Sequence, residues 1–159
     1  METQKSIEKA KKLYGNLSDE LKELLHDIYG KDAFDFNYES IISLELAIKY
    51  CGDQDEDVVC YHKMVKAGIE GHTMRYQELV IITKAINEKW VPDWTTNEPK
   101  WYGYFDMRPS GFGLSYAYYD NWFAHTYCGS RLYFKDEKRM RFAFAQFTEK
   151  YKEFITIKK

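Results

Sequence analysis

The sequence predicts an α+β fold: an N-terminal helical segment followed by a small antiparallel sheet of about three strands, covered by a C-terminal helix. Three observations carry this. Apolar residues recur at three- and four-residue spacing through residues 1–90, which is the helical period. After Pro92 the period drops to two, the mark of half-buried strands. From Asp136 the helical period returns, and an apolar helix face of that kind needs a sheet to cover. The expected organisation is a helical region over 1–90 and an aromatic-rich sheet with its helix over 91–159, packed as one unit.

The elements follow in order. "SIEKAKKLYG" sets Ile7, Ala10, Leu13 and Tyr14 at helical spacing and stops on Gly15. In "LSDELKELLHDIYGK" Ser18 can cap, Asp19 and Glu20 suit the positive end of a helix, Leu21, Leu24, Leu25 and Ile28 form a stripe, and Gly30 closes. A third helix is expected through "YESIISLELAIKYCG", and the acidic "DQDED" at 53–57 reads as a solvated turn before the short helix "EDVVCYHKMVKAG". It lacks the glycine and glutamate positions of a calcium loop. "HTMRYQELVIITKAINEKW" is the strongest helix, with Tyr76, Leu79, Val80, Thr83 and Ile86 on its apolar face and Pro92 as its limit.

Strands are expected in "KWYGYFDMR", "GFGLSYAYYDNW" and "GSRLYFK", the first two joined by a "PSG" turn. The closing helix, capped by Asp136, carries Met140, Ala143, Phe144, Phe147, Tyr151 and Phe154 on one face. Trp90 and Trp94 bracket Pro92 and are expected to clamp helix to sheet, with Asp93 making a turn contact and Trp101 continuing the packing.

Composition narrows the class. The chain has 159 residues, 45% hydrophobic and 30% charged, with a net charge of -2, which suits a folded domain and not a disordered one. No apolar run reaches the length of a membrane span, and the start lacks a signal-peptide core, so a cytoplasmic protein is expected. Residues 1–90 carry 12 basic and 17 acidic side chains, residues 91–159 carry 11 and 8, and 19 of the 28 aromatics lie in the second stretch. The basic bias is small for a non-specific nucleic-acid binder.

Catalytic and metal chemistry find little support. Cys51, Cys60 and Cys128 are odd in number and without CxxC spacing, and His26, His62, His72 and His125 lie on separate elements. Cys128 follows His125 by three residues, a spacing that could place a thiolate beside a base, but it reads first as packing. No phosphate-binding glycine loop is present; "GFG" at 111–113 is turn and strand glycine. No catalytic residue, metal or cofactor is assigned.

The remaining feature is aromatic and basic. Tyr102, Tyr104, Tyr116, Tyr118 and Trp122 lie on or near strands, and Arg108, Arg131 and Lys135 occupy the same half. Such a set suits single-stranded nucleic acid, where bases stack on aromatic rings. It equally suits a protein interface, where Trp, Tyr and Arg dominate. These eight residues form the expected binding site.

"KAINEKWVPDW", "KWYGYFDM", "SGFG", "GSRLYFK" and "FAQFTEKYKEF", taken in that order over residues 79–155, resemble a family of small uncharacterised proteins encoded by phages and prophages of gut-type bacteria. The chain departs from the family pattern at Lys89, at Gly103 and Tyr104, and from Met140 to Phe144. The resemblance implies a mobile-element accessory protein in the host bacterial cytoplasm and transfers no activity. The leading expectation is a non-enzymatic protein that binds and inhibits a host protein or ribonucleoprotein, with an antiviral effector such as a nucleic-acid-guided nuclease as target class. Two alternatives stand beside it: a single-stranded nucleic-acid-binding protein of phage replication, and a protein that sequesters a nucleotide signal, with Trp94, Trp101 and Arg131 as contacts.

Overall fold

Ser43 accepts a hydrogen bond from the Leu46 N–H at 3.3 Å and starts a helix at Leu44; Asp55 does the same for Asp57 at 3.0 Å one helix later. Side-chain capping of this kind starts three of the six α-helices among the described residues. The computed structural model describes residues 6, 10, 14, 17–30, 34, 36–108, 112–120 and 130–156, with the backbone alone at 116–118, 120 and 130. The chain divides into two units, Met1–Asn37 and Tyr38–Lys159. The division falls at 37/38 and not near residue 90, so the helices from Leu44 onward belong with the strands. The fold class is α+β, as the sequence predicts.

In the first unit Ser6, Ala10 and Tyr14 are helical; the rest of the expected first helix and its Gly15 stop lie outside the described residues. Helix α1 spans Asp19–Tyr29; the Gly30 N–H makes its last bond, to the His26 carbonyl at 2.8 Å, and the positive φ of 82° at Gly30 then turns the chain out of the helix. Ser18 precedes it without a side-chain capping bond. The Tyr14 ring stacks on Phe34 at 4.8 Å, and its hydroxyl meets His26 Nε2.

The second unit is built around one helix. Helices α2 (Leu44–Cys51) and α3 (Glu56–Lys66) lead to α4 (His72–Ile86), ten of whose 15 residues are buried. A 3-10 turn at Tyr38–Ser40 precedes α2, which therefore begins later than the sequence suggests. Helix α4 stops four residues before Trp90: Glu88 and Lys89 both take positive φ, 57° and 60°, and the Lys89 N–H closes on the Lys84 carbonyl at 2.9 Å. This is the 6→1 bond of a Schellman-type stop, and it ends the helix before Pro92 can.

Strands β1 (Lys100–Asp106) and β2 (Gly113–Asp120) pair antiparallel, with Tyr102 opposite Tyr118, Tyr104 opposite Tyr116, and a bulge between Tyr104 and Phe105. The "PSG" turn at 109–111 lies outside the described residues. The expected third strand is corrected. Ser130–Leu132 is a 3-10 turn, and only Phe134 pairs with β1, exchanging bonds of 3.0 and 2.8 Å with Trp101. The neighbouring backbone groups are engaged elsewhere: Asn87 donates to the Tyr133 carbonyl at 2.7 Å and accepts from the Lys135 N–H at 3.1 Å.

The expected single closing helix is two, α5 (Glu137–Gln146) and α6 (Thr148–Ile155). Thr148 Oγ1 donates within 2.6 Å of the Phe144 carbonyl and lies 3.2 Å from that of Ala145, competing with the helical bonds there. The break at Phe147 has a use: α5 covers the hairpin while α6 packs against α4. Phe144 is the hinge of the layer, meeting Phe105 at 4.8 Å, Tyr151 at 4.4 Å and Phe134 at 5.7 Å. Among the described residues no helix is long and apolar enough to cross a membrane.

Candidate functional site

Alternation along β1 puts Trp101, Gly103 and Phe105 toward α5 and Lys100, Tyr102 and Tyr104 on the other face. Gly103 is required by closeness rather than by φ: a Cβ there would strike the Phe144 ring and come within 2.7 Å of Leu114 Cδ1. The register assigns the four expected positions Tyr102, Tyr104, Tyr116 and Tyr118 to one face of the ladder, although of Tyr116 and Tyr118 only the backbone is described.

That face is partly covered. Tyr102, one of the eight expected binding residues, is buried, 6% exposed, with its ring 5.4 Å from Tyr133 and 5.5 Å from Tyr104, so it is not available to a partner at the surface. Trp94 meets Tyr133 edge-on at 5.6 Å. Lys100 is fully buried beside them, its ammonium 3.0 Å from the Glu98 carbonyl and 5.1 Å from the centre of the Trp94 ring, a cation–π contact. Asp93 makes the expected turn contact, accepting from Thr95 N–H and Oγ1 at 2.8 and 2.6 Å. Tyr104 is open, 39% exposed, and Met107 and Arg108 are exposed at the same end of β1.

The other expected site residues disperse. Arg108 is held by Asp106, whose carboxylate its side-chain hydrogen bond keeps below the ordinary range. Trp122 lies outside the described residues, as do His125 and Cys128. Arg131 and Lys135 belong to the segment that packs on α4: Lys135 is exposed, and Arg131 pairs with Asp57 at 2.8 Å.

Asp57 opens a site the sequence reading missed. The "DQDED" stretch is not wholly solvated: Asp57 is 5% exposed, its carbonyl accepts from Gln77 at 2.9 Å, and its carboxylate meets both Arg131 and Lys84. Lys84 also reaches Asp55 at 2.9 Å. Burial pulls the Lys84 pKa down, but hydrogen bonds to Asp57 and Asp55 outweigh it and hold the ammonium above its ordinary value. Beside this cluster, Cys51 is pushed up to about 11, by burial first and then by the Asp55 charge, so its thiol stays protonated at neutral pH. Its inertness is that of a packing cysteine.

A cavity of about 250 Å³ opens beside the cluster, with Thr83, Lys84, Trp90 and Tyr133 among its walls. The Thr83 hydroxyl, on a residue 1% exposed, has no hydrogen-bond partner among the described residues. The available signal was a threonine and an asparagine one turn apart on an apolar helix face. Comparison of the chain with family models, curated proteins and solved structures gives no match.

Proposed function

We propose that the chain is a non-enzymatic accessory protein of a phage or mobile element that occupies a host protein or ribonucleoprotein, with an antiviral effector such as a nucleic-acid-guided nuclease as target class. One observation carries the binding part: a tyrosine face, anchored at one end by Tyr133 and Trp94, opens at the other onto exposed Tyr104, Met107 and Arg108. A rigidly seated aromatic beside an arginine is the composition of an interface hot spot.

The cations favour a protein target over single-stranded nucleic acid. Arg108 pairs with Asp106, Arg139 with Glu88 and Asp136, Arg141 with Glu137, and Lys150 with Glu78. Phosphate contact at these positions would compete with carboxylates already in place, weakening the electrostatic term that dominates nucleic-acid binding. Co-purification of the tagged chain with candidate host effectors, followed by sizing of the complex, tests the reading. A stable stoichiometric complex is expected, with Tyr104→Ala weakening it by about tenfold. Oligonucleotide binding at low salt, in the absence of any protein complex, would replace this reading with the nucleic-acid one.

A further inference from the structure

We infer that the cavity between α3, α4 and the turn at Trp90 is a binding site for a mononucleotide, separate from the tyrosine face and independent of the reading above. The cavity is built for an occupant with hydrogen-bonding groups. Thr83 is buried to 1% exposure, lines the cavity and leaves its hydroxyl without a partner among the described residues. A buried hydroxyl in that state costs free energy until something meets it. Across the same space the Asp57 carboxylate is already met by Lys84 and Arg131, so the open demand is that of the hydroxyl, which the matching ligand answers with a polar ring atom.

The walls and rim complete the specification. Val80, Trp90 and Tyr133 supply apolar and aromatic surface, which suits a flat heteroaromatic body. Arg131 also lines the cavity, with a side chain 51% exposed, and Nη1 is the guanidinium atom that engages Asp57. A guanidinium carries five donors, so one placed at the edge can hold Asp57 and a phosphate together. A volume of about 250 Å³ lies just under the roughly 300 Å³ at which drug-sized pockets begin, which fits one ring system inside and the phosphate at the rim, and excludes a dinucleotide.

The turn that places Trp90 is itself unusual. Glu88 and Lys89 are consecutive non-glycine residues at positive φ, a conformation that side chains disfavour and that recurs at ligand clamps. Lys89 Nζ reaches the Cys51 carbonyl at 3.1 Å and ties this turn to α2.

The test is calorimetric titration of the full chain with purine and pyrimidine mononucleotides, the matching nucleosides and inorganic phosphate. At least one mononucleotide is expected to bind, more tightly than its nucleoside and than phosphate. Thr83→Val, which removes the partnerless hydroxyl and keeps the shape, is expected to fold at least as well as the natural chain and to weaken binding about fivefold. Arg131→Gln is expected to weaken the nucleotide and leave the nucleoside unchanged. Absence of heat for every mononucleotide at millimolar concentration overturns the inference. So does binding that Thr83→Val leaves intact, or phosphate binding as tight as that of any nucleotide, since neither needs the cavity.

Discussion

Helix α4 and the β1–β2 hairpin invert the ordinary burial rule in opposite directions. The helix hides polar groups, with Gln77, Glu78 and Thr83 buried along it and Asn87 at its end, while the hairpin leaves Tyr104 exposed. Buried polar groups and exposed large apolar ones are the informative departures. In α4 the reason is connection: Gln77 holds the start of α3, Glu78 pairs with Arg75 and Lys150, and Asn87 holds the segment after the 3-10 turn. Among the described residues the sheet has two strands and one covering helix, and on its second face Tyr133 and Trp94 cover one end. Polar groups make the helix a hub, and the incomplete layer makes the hairpin a surface.

The hub is broken most severely at Asn87. The residue is 2% exposed and satisfies one carbonyl and one N–H of the 133–135 segment at once. Asn87→Ala leaves both without partners, and each unmet buried group costs about 1 to 3 kcal/mol. A loss of about 3 kcal/mol in urea unfolding is expected, larger than that of truncating the exposed Tyr104. Tyr104→Ala, at an exposed position, is expected to stay within about 0.5 kcal/mol of the natural chain. Equal losses from the two would erase the distinction between hub and surface.

The layer beneath the surface comes next. Gly103→Ala forces a methyl against the Phe144 ring and Leu114, both inside the packed layer. Overpacking of this kind costs about 1 to 3 kcal/mol. The expected value is about 2 kcal/mol, with altered near-ultraviolet dichroism because Phe144 contacts Phe105, Phe134 and Tyr151. An unchanged aromatic spectrum would mean that α5 does not seat on β1 through this contact.

Periodicity made the fold class legible, because a shift from three- and four-residue spacing to alternation needs no tertiary knowledge. Asp136 was legible as a helix start in the same way, whereas Ser43 and Asp55, which also cap, were not singled out, and Ser18, which was, makes no capping bond. What escaped was set by distant side chains. The third strand shrinks to one bridge because Asn87, 46 residues away along the chain, takes the Tyr133 carbonyl. Tyr102 is buried because Tyr133 comes from outside the hairpin. Thr83 read as part of an apolar face, since a threonine on such a stripe gives no sign of whether its hydroxyl finds a partner. The tyrosine face was legible as residue types; its open end at Tyr104 depended on which strand face α5 covers, and alternation alone does not choose between faces.

The smallest expected effect separates charge from capping within the hub. Asp55 both caps α3 and pairs with Lys84. Burial raises its pKa, but the Lys84 hydrogen bond and the N–H groups of Asp57 and Val58 outweigh that and hold it below the ordinary 3.8. A carboxyl depressed on folding contributes stability that is present above its unfolded pKa and lost as pH falls through the lower folded value. Lys84 stands above its ordinary 10.5, so its share is present below that pH and is lost only as pH rises past the folded value. The pair therefore holds through the neutral range and yields below about pH 4. Asn caps a helix as well as Asp does, so Asp55→Asn removes the charge and keeps the cap. At pH 6 this variant is expected to lose about 1 kcal/mol, and near pH 2 to match the natural chain, which has by then lost the same contribution. A deficit that persists at low pH would show that the substitution costs something other than the charge, and no deficit at pH 6 would leave Asp57 as the partner that holds Lys84 in the hub.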